Sequence, residues 1–88
     1  MSLTRRNPRR DANEAAIVAA LEACGWSVLR ISAPGAPDLL AGRGNRLWLI
    51  EVKSEKGRLR PSQLRWRAAW RGPAAMVIRT VEQAAALE

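Results

Sequence analysis

The sequence predicts an α/β domain of element order αβββαβα, with a mixed central sheet flanked by helices. Three observations carry this reading. An alanine-rich stretch with apolar residues at helical spacing leads the chain. Three short strand-like segments follow, punctuated by glycine and proline. A proline-led helix then separates the third strand from a fourth, which makes a crossover between parallel strands.

Residues 1–10 read as a loose basic arm, and 11–88 as one domain. Asp11 to Cys24 forms the first helix, with Asn7-Pro8 and Asp11 competing as its start. Glu14, Ile17, Val18, Leu21 and Cys24 share one face, and Gly25 ends the helix. Trp26 to Ile31 is a strand, and residues 32–37 are a proline- and glycine-rich loop. Asp38 to Ala41 is a second strand, and Gly42 to Asn45 a hairpin turn. Arg46 to Lys53 is the strongest strand, apolar on both faces and therefore central. Pro61 opens the second helix, which runs to about Arg71, where Gly72-Pro73 stops it. Ala75 to Arg79 is the fourth strand. Thr80-Val81-Glu82-Gln83 fits a capping box that opens a terminal helix.

Eighty-eight residues suit a single domain with a thin core. Fifteen Lys+Arg against eight Asp+Glu give a net charge of +7. That balance suits a polyanionic partner, and the arginine-dominated cations grip phosphate in bidentate fashion. No apolar run is long enough for a membrane span. A lone cysteine, Cys24, cannot form an internal disulfide and fits a reducing, cytoplasmic setting. The chain has no histidine and no tyrosine. Ser-His-Asp and Cys-His catalysis, most zinc sites and tyrosyl phosphodiester chemistry are thereby excluded. Carboxylates, lysine and a hard metal remain as tools for hydrolysis.

One constellation stands out. In the strand 46–53, Leu47, Leu49, Glu51 and Lys53 share a face, while Trp48, Ile50 and Val52 share the other. Glu51 and Lys53 are neighbours ~6.6 Å apart along that face. Asp38 opens the strand that pairs with it, so an antiparallel hairpin brings Asp38 beside Glu51. Two carboxylates and an ammonium so placed can hold a divalent metal against a phosphate. Glu14 heads the apolar stripe of the first helix; it faces this sheet or completes a capping box with Asp11. Gln63 heads the stripe of the second helix; it bonds a water or phosphate oxygen, or caps its own turn. Trp66 and Trp70 are expected to pack in the core rather than stack on bases, and Cys24 to pack under the sheet.

Glu14, Gly35-Ala36-Pro37-Asp38-Leu39-Leu40, Ile50-Glu51-Val52-Lys53 and Gln63 together resemble the VRR-NUC branch of the PD-(D/E)xK nuclease superfamily. The resemblance spans about Asp11 to Val81 and implies a restriction-endonuclease-like core that cleaves phosphodiesters with metal. It implies that Asp38, Glu51 and the Val52 carbonyl ligate Mg²⁺, with Mn²⁺ able to substitute, and that Glu14 completes the site directly or through water. Lys53 would position the attacking water, as cation or as base. Arg60-Pro61-Ser62 departs from the usual serine-proline helix start, which weakens that cap.

The sequence thus points to a metal-dependent DNA endonuclease selective for branched, junction or flapped DNA, acting as a homo-oligomer, most simply a dimer. Arg5, Arg6, Arg9, Arg10, Lys56, Arg58 and Arg60 are the expected phosphate contacts. The alternative is a non-catalytic nucleic-acid-binding module, which explains the charge but leaves the acidic trio without a purpose.

Overall fold

The computed structural model describes residues 8–88, with side chains from residue 13 onward. Arg5 and Arg6 lie outside the described residues, and the side chains of Arg9, Arg10 and Asp11 are likewise outside. The elements are α1 (Pro8–Ala23), β1 (Ser27–Arg30), β2 (Leu39–Arg43), β3 (Arg46–Val52), α2 (Pro61–Ala69), β4 (Met76–Ile78) and α3 (Val81–Ala85). The order is the one expected. The first helix starts at Pro8, so Arg9 and Arg10 belong to it and Asp11 sits inside it. Pro8 wins as the start signal because a first-turn proline has a preset φ and no N–H to leave unbonded. An Asp11–Glu14 capping box is therefore not the role of Glu14.

The sheet has the order β1-β2-β3-β4. β1, β2 and β3 pair antiparallel, and β3 pairs parallel with β4 across the α2 crossover. β3 is central, as its apolar character on both faces suggested. β2 runs two residues further than expected, to Arg43, which pairs with Arg46. The hairpin turn thereby shrinks to Gly44-Asn45, with Gly44 at φ +60°, a conformation that glycine adopts without strain.

The core lies on one face of this sheet. Ile17, Val18 and Leu21 of α1 meet Leu39, Ala41, Ile50, Val52 and Ile78 of the strands, and Ala84 and Leu87 close the end. Alternation explains the choice: Ile50 and Val52 point to this face, and Leu49 and Glu51 to the other. α1 ends with Gly25 at φ +92°, while the Trp26 N–H returns to the Leu21 carbonyl at 3.1 Å. That close delivers Trp26 into the core, where it is 3% exposed.

Two packing expectations fail. α2 contains no buried residue, so Trp66 and Trp70 are not core residues. They stack on each other at 4.8 Å between centroids, and Trp70 remains 44% exposed. The reason is that α1 and α3 already fill the apolar face, leaving α2 to cross the other. Cys24 is exposed rather than under the sheet, because the α1 stripe runs off the core at its last turn.

The β1–β2 loop is fixed against α2 by Gly35, which has φ +76°. A Cβ there would stand 2.9 Å from the Ser62 carbonyl oxygen. Gly35→Ala is expected to destabilise the protein by about 1–3 kcal/mol, through positive-φ strain and that backbone clash. Urea denaturation of the variant checks this; a loss below a few tenths of a kcal/mol contradicts it.

Candidate active site

Asp38, Glu51 and Lys53 come together as the hairpin requires. Leu39 pairs with Ile50, so the same register sets Asp38 across from Glu51. Asp38 Oδ2 accepts a hydrogen bond from the Val52 N–H at 2.8 Å. That bond takes the N–H at the end of β3 and fixes the carboxylate beside the strand it serves. Asp38 and Glu51 are 6% and 2% exposed. Their side chains hydrogen-bond each other.

Both border a cavity of about 310 Å³, together with Val52, Lys53, Asn13, Gln63 and the basic rim of Arg58 and Arg60. Lys56 is exposed on the loop beside it. Lys53 follows β3 directly and is held by its backbone: its N–H donates to the Ile78 carbonyl at 3.1 Å. Its carbonyl accepts from Asn13 Nδ2 at 2.8 Å.

Gln63 caps its own turn, as one reading expected, and also makes a bond that was not expected. Its Oε1 accepts from the Arg60 N–H at 2.7 Å, capping α2, and its Nε2 donates to Glu51 Oε2 at 3.0 Å. One amide therefore ties the start of α2 to the carboxylate pair. Arg60 has no side-chain cap of its own, which leaves that task to Gln63 and frees the Arg60 side chain at the rim.

Glu14 faces the sheet but does not border this cavity. It is 5% exposed, and its Oε2 accepts from Arg30 Nε at 2.8 Å. Among the described residues no three or more His, Cys, Asp or Glu side chains gather as a metal site. The expected third carboxylate is therefore paired with a guanidinium on β1 rather than with Asp38 and Glu51. Among the described side chains of α1, Asn13 borders the cavity, and the sequence reading missed it. Its signal was present: Asn13, Ile17 and Leu21 follow i, i+4, i+8 spacing, so Asn13 heads the buried stripe as much as Glu14 does. Arg67 was also missed. It lies one turn beyond Gln63, donates from Nη1 to the Ala75 carbonyl at 2.9 Å and places positive charge near Glu51.

The Glu51 carboxyl is pushed up from 4.5 to about 8. Burial is the largest cause, followed by the hydrogen bond and negative charge of Asp38; Lys53 and Arg67 oppose them. A buried carboxyl beside a carboxylate keeps its proton because a second negative charge there is poorly solvated. The donor set fits a hard divalent cation. Two carboxylates and a strand-end carbonyl are oxygen ligands, and Mg²⁺ is commonly held by one or two carboxylates with water and phosphate completing its shell.

Comparisons with known proteins agree with this geometry. A family model described as archaeal Holliday junction resolvase (Hjc) matches residues 6–66. A solved structure described as a VRR_NUC domain superposes with a TM-score of 0.69 at 31% identity, over 86% of this chain and 89% of that one. The chain belongs to the VRR-NUC/PD-(D/E)xK-like nuclease family. No curated protein sequence matches it. Among the described residues of this VRR-NUC nuclease, no helix is long and apolar enough to cross a membrane.

The raised carboxyl has a consequence for stability. Folding favours protonated Glu51, so this contribution is complete below 4.5 and is lost as pH rises through about 8. At about 1.4 kcal/mol per pKa unit, the loss is on the order of a few kcal/mol. Metal-free protein is therefore expected to be less stable at pH 8.5 than at pH 5.5, with Glu51→Gln flattening that slope. Urea denaturation in EDTA across this range is the check; equal slopes for the two proteins would contradict it.

Proposed function

We propose that the chain is a metal-dependent endonuclease that cuts branched DNA, four-way junctions in particular. The observation that carries this reading is the buried Asp38–Glu51 pair opening, with Lys53, into a cavity with an arginine rim. The description of the matching family as a Holliday junction resolvase supports the substrate. The net charge of +7 supports a nucleic-acid partner.

Asp38, Glu51 and the Val52 carbonyl would hold Mg²⁺ or Mn²⁺. Such a metal, when bound, polarises the scissile phosphate and favours ionisation of water. Asp38 is kept in place by the Val52 N–H, so the pair need not reorganise on loading. Glu51 would hold the metal as a carboxylate, its proton released to solvent, with Gln63 Nε2 orienting its Oε2. Lys53 supplies positive charge where the phosphate develops negative charge. Arg58 and Arg60 at the rim, with Lys56 on the adjoining loop, contact the DNA backbone, and Arg5, Arg6, Arg9 and Arg10 extend that contact. Glu14 acts at one remove, by holding Arg30 and so the first strand against α1.

The test is cleavage of branched and linear DNA by purified protein with Mg²⁺ or Mn²⁺, against an EDTA control. Asp38→Asn, Glu51→Gln and Lys53→Met are each expected to lower the rate at least ~100-fold, the scale of losing an electrostatic contact to the transition state. Gln63→Ala, which removes only an orienting bond, is expected to lose about 10-fold. DNA binding that persists without any metal-dependent cutting would instead favour a non-catalytic binding module.

Two strands of a junction must be cut, which favours a symmetric dimer. The face of the sheet that carries Glu51 also carries an aliphatic row: Leu29 pairs with Leu40, and Leu40 with Leu49. Leu29 and Leu47 are 65% and 66% exposed, an apolar patch that a second copy would cover. Leu47→Asp is expected to shift the protein to monomer in sedimentation and to uncouple the two cuts on a junction, while its circular dichroism is unchanged. An unchanged sedimentation coefficient would place the interface elsewhere.

A further inference from the structure

Arg79 lies outside the cavity, and nothing in the cleavage chemistry uses it. Its guanidinium nevertheless makes the densest set of bonds to the chain beside the site. Nη1 donates to the Ser54 carbonyl at 2.8 Å and the Gly57 carbonyl at 2.7 Å, with the Glu55 carbonyl at 3.4 Å. Three carbonyls of one turn thus converge on a single charged nitrogen. The turn is tight as well as bonded: a Cβ on Gly57 would stand 2.9 Å from Ser54 Oγ and 3.5 Å from Lys53 Cδ. The turn therefore closes against the stem of Lys53.

Arg79 is itself anchored. Its N–H donates to Gln83 Oε1 at 2.6 Å, while the Gln83 N–H donates to Thr80 Oγ1 at 3.1 Å. The cap of α3 thus fixes the residue that fixes the 54–57 turn. Ser54, Gly57 and Arg58 border the cavity, and Lys56 projects from the same turn. With three carbonyls engaged by one guanidinium, this stretch of the rim presents less uncompensated partial negative charge to an approaching phosphate.

We infer that Arg79 is a positioning residue whose guanidinium holds the Ser54–Gly57 turn against Lys53 and sets where Lys56 and Arg58 meet a DNA backbone. This rests on the nuclease reading for its DNA part, but the clamp itself can be read without DNA. Arg79 acts through its carbonyl bonds and makes no contact with the phosphate.

The experiment compares wild type with Arg79→Ala, Arg79→Lys and Gly57→Ala. Limited trypsin digestion after Lys56 and Arg58, followed by mass spectrometry at a temperature where circular dichroism is native, reads the clamp. Arg79→Ala is expected to speed those cuts at least ~10-fold, since local opening exposes a turn long before global unfolding. Arg79→Lys should restore part of the protection, and Gly57→Ala should mimic the loss with Arg79 intact. Binding to a junction in Ca²⁺ is then measured against salt. Arg79→Ala should weaken binding about 10-fold and lower the salt slope by about one or two, the loss of one or two phosphate contacts. In a Lys56→Ala/Arg58→Ala background the same change should add nothing. A trypsin rate that does not depend on Arg79 overturns the clamp whatever the DNA result. A weaker affinity with an unchanged slope, or full additivity, overturns the link to Lys56 and Arg58. Arg79-dependent protection in a protein that binds no DNA upholds the clamp and overturns the nuclease reading.

Discussion

Everything at the site depends on the register of the β2–β3 hairpin. With Leu39 opposite Ile50, Asp38 stands opposite Glu51, and the apolar partners Ile50 and Val52 point to the core. A slip of one residue would turn Glu51 toward Ile17 and Leu21 and expose Ile50. Burial of the core and assembly of the carboxylate pair are therefore specified together. The two-residue turn at Gly44-Asn45 sets the pairing at one end, and the bond from the Val52 N–H to Asp38 locks it at the other. That bond is unusual for a strand end, because a side chain of the neighbouring strand replaces a backbone carbonyl. It makes Asp38 part of the sheet as well as part of the site.

The sheet divides labour between its faces. One face meets α1 and α3 and supplies nearly all apolar burial; the other carries Glu51, the aliphatic row and the crossover helix α2. With no buried residue, α2 is held chiefly by polar links at its ends. Gln63 bonds Glu51, Arg67 bonds the Ala75 carbonyl, and Ser62 lies under Gly35. A helix held this way responds to charge at the site. Ionising Glu51 strengthens the bond from Gln63, because a charged acceptor binds an amide N–H more tightly than a neutral one. Ionisation of Glu51 would thus fasten α2 more tightly, in a chain whose α2 has no buried residue to hold it.

The strands, their order and the meeting of Asp38 with Glu51 were legible because period-2 alternation and a glycine turn determine them locally. The family was legible in the same residues. What escaped was set by partners distant in sequence. Whether Glu14 turned to the carboxylates or to Arg30 depended on how β1 lay against α1, sixteen residues away. The two tryptophans of α2 looked like core because large apolar residues usually are. Nothing local revealed that α1 and α3 would share the only closed face. Arg79 was marked only as the end of the fourth strand, since its carbonyl partners lie more than twenty residues upstream.

The pairing of Glu14 with Arg30 also explains how the site tolerates its own chemistry. Burial, and then the neighbouring Asp38, already hold Glu51 near 8. A third negative charge at the same place would raise the cost again. The guanidinium of Arg30, whose side chain is 58% exposed, reaches in from the sheet edge to meet a side chain that is 6% exposed. An exposed cation gives up little hydration for that contact, while the buried carboxylate gains a charge-assisted bond. The negative charge of Glu14 is thereby balanced on β1, away from the carboxylate pair of the hairpin.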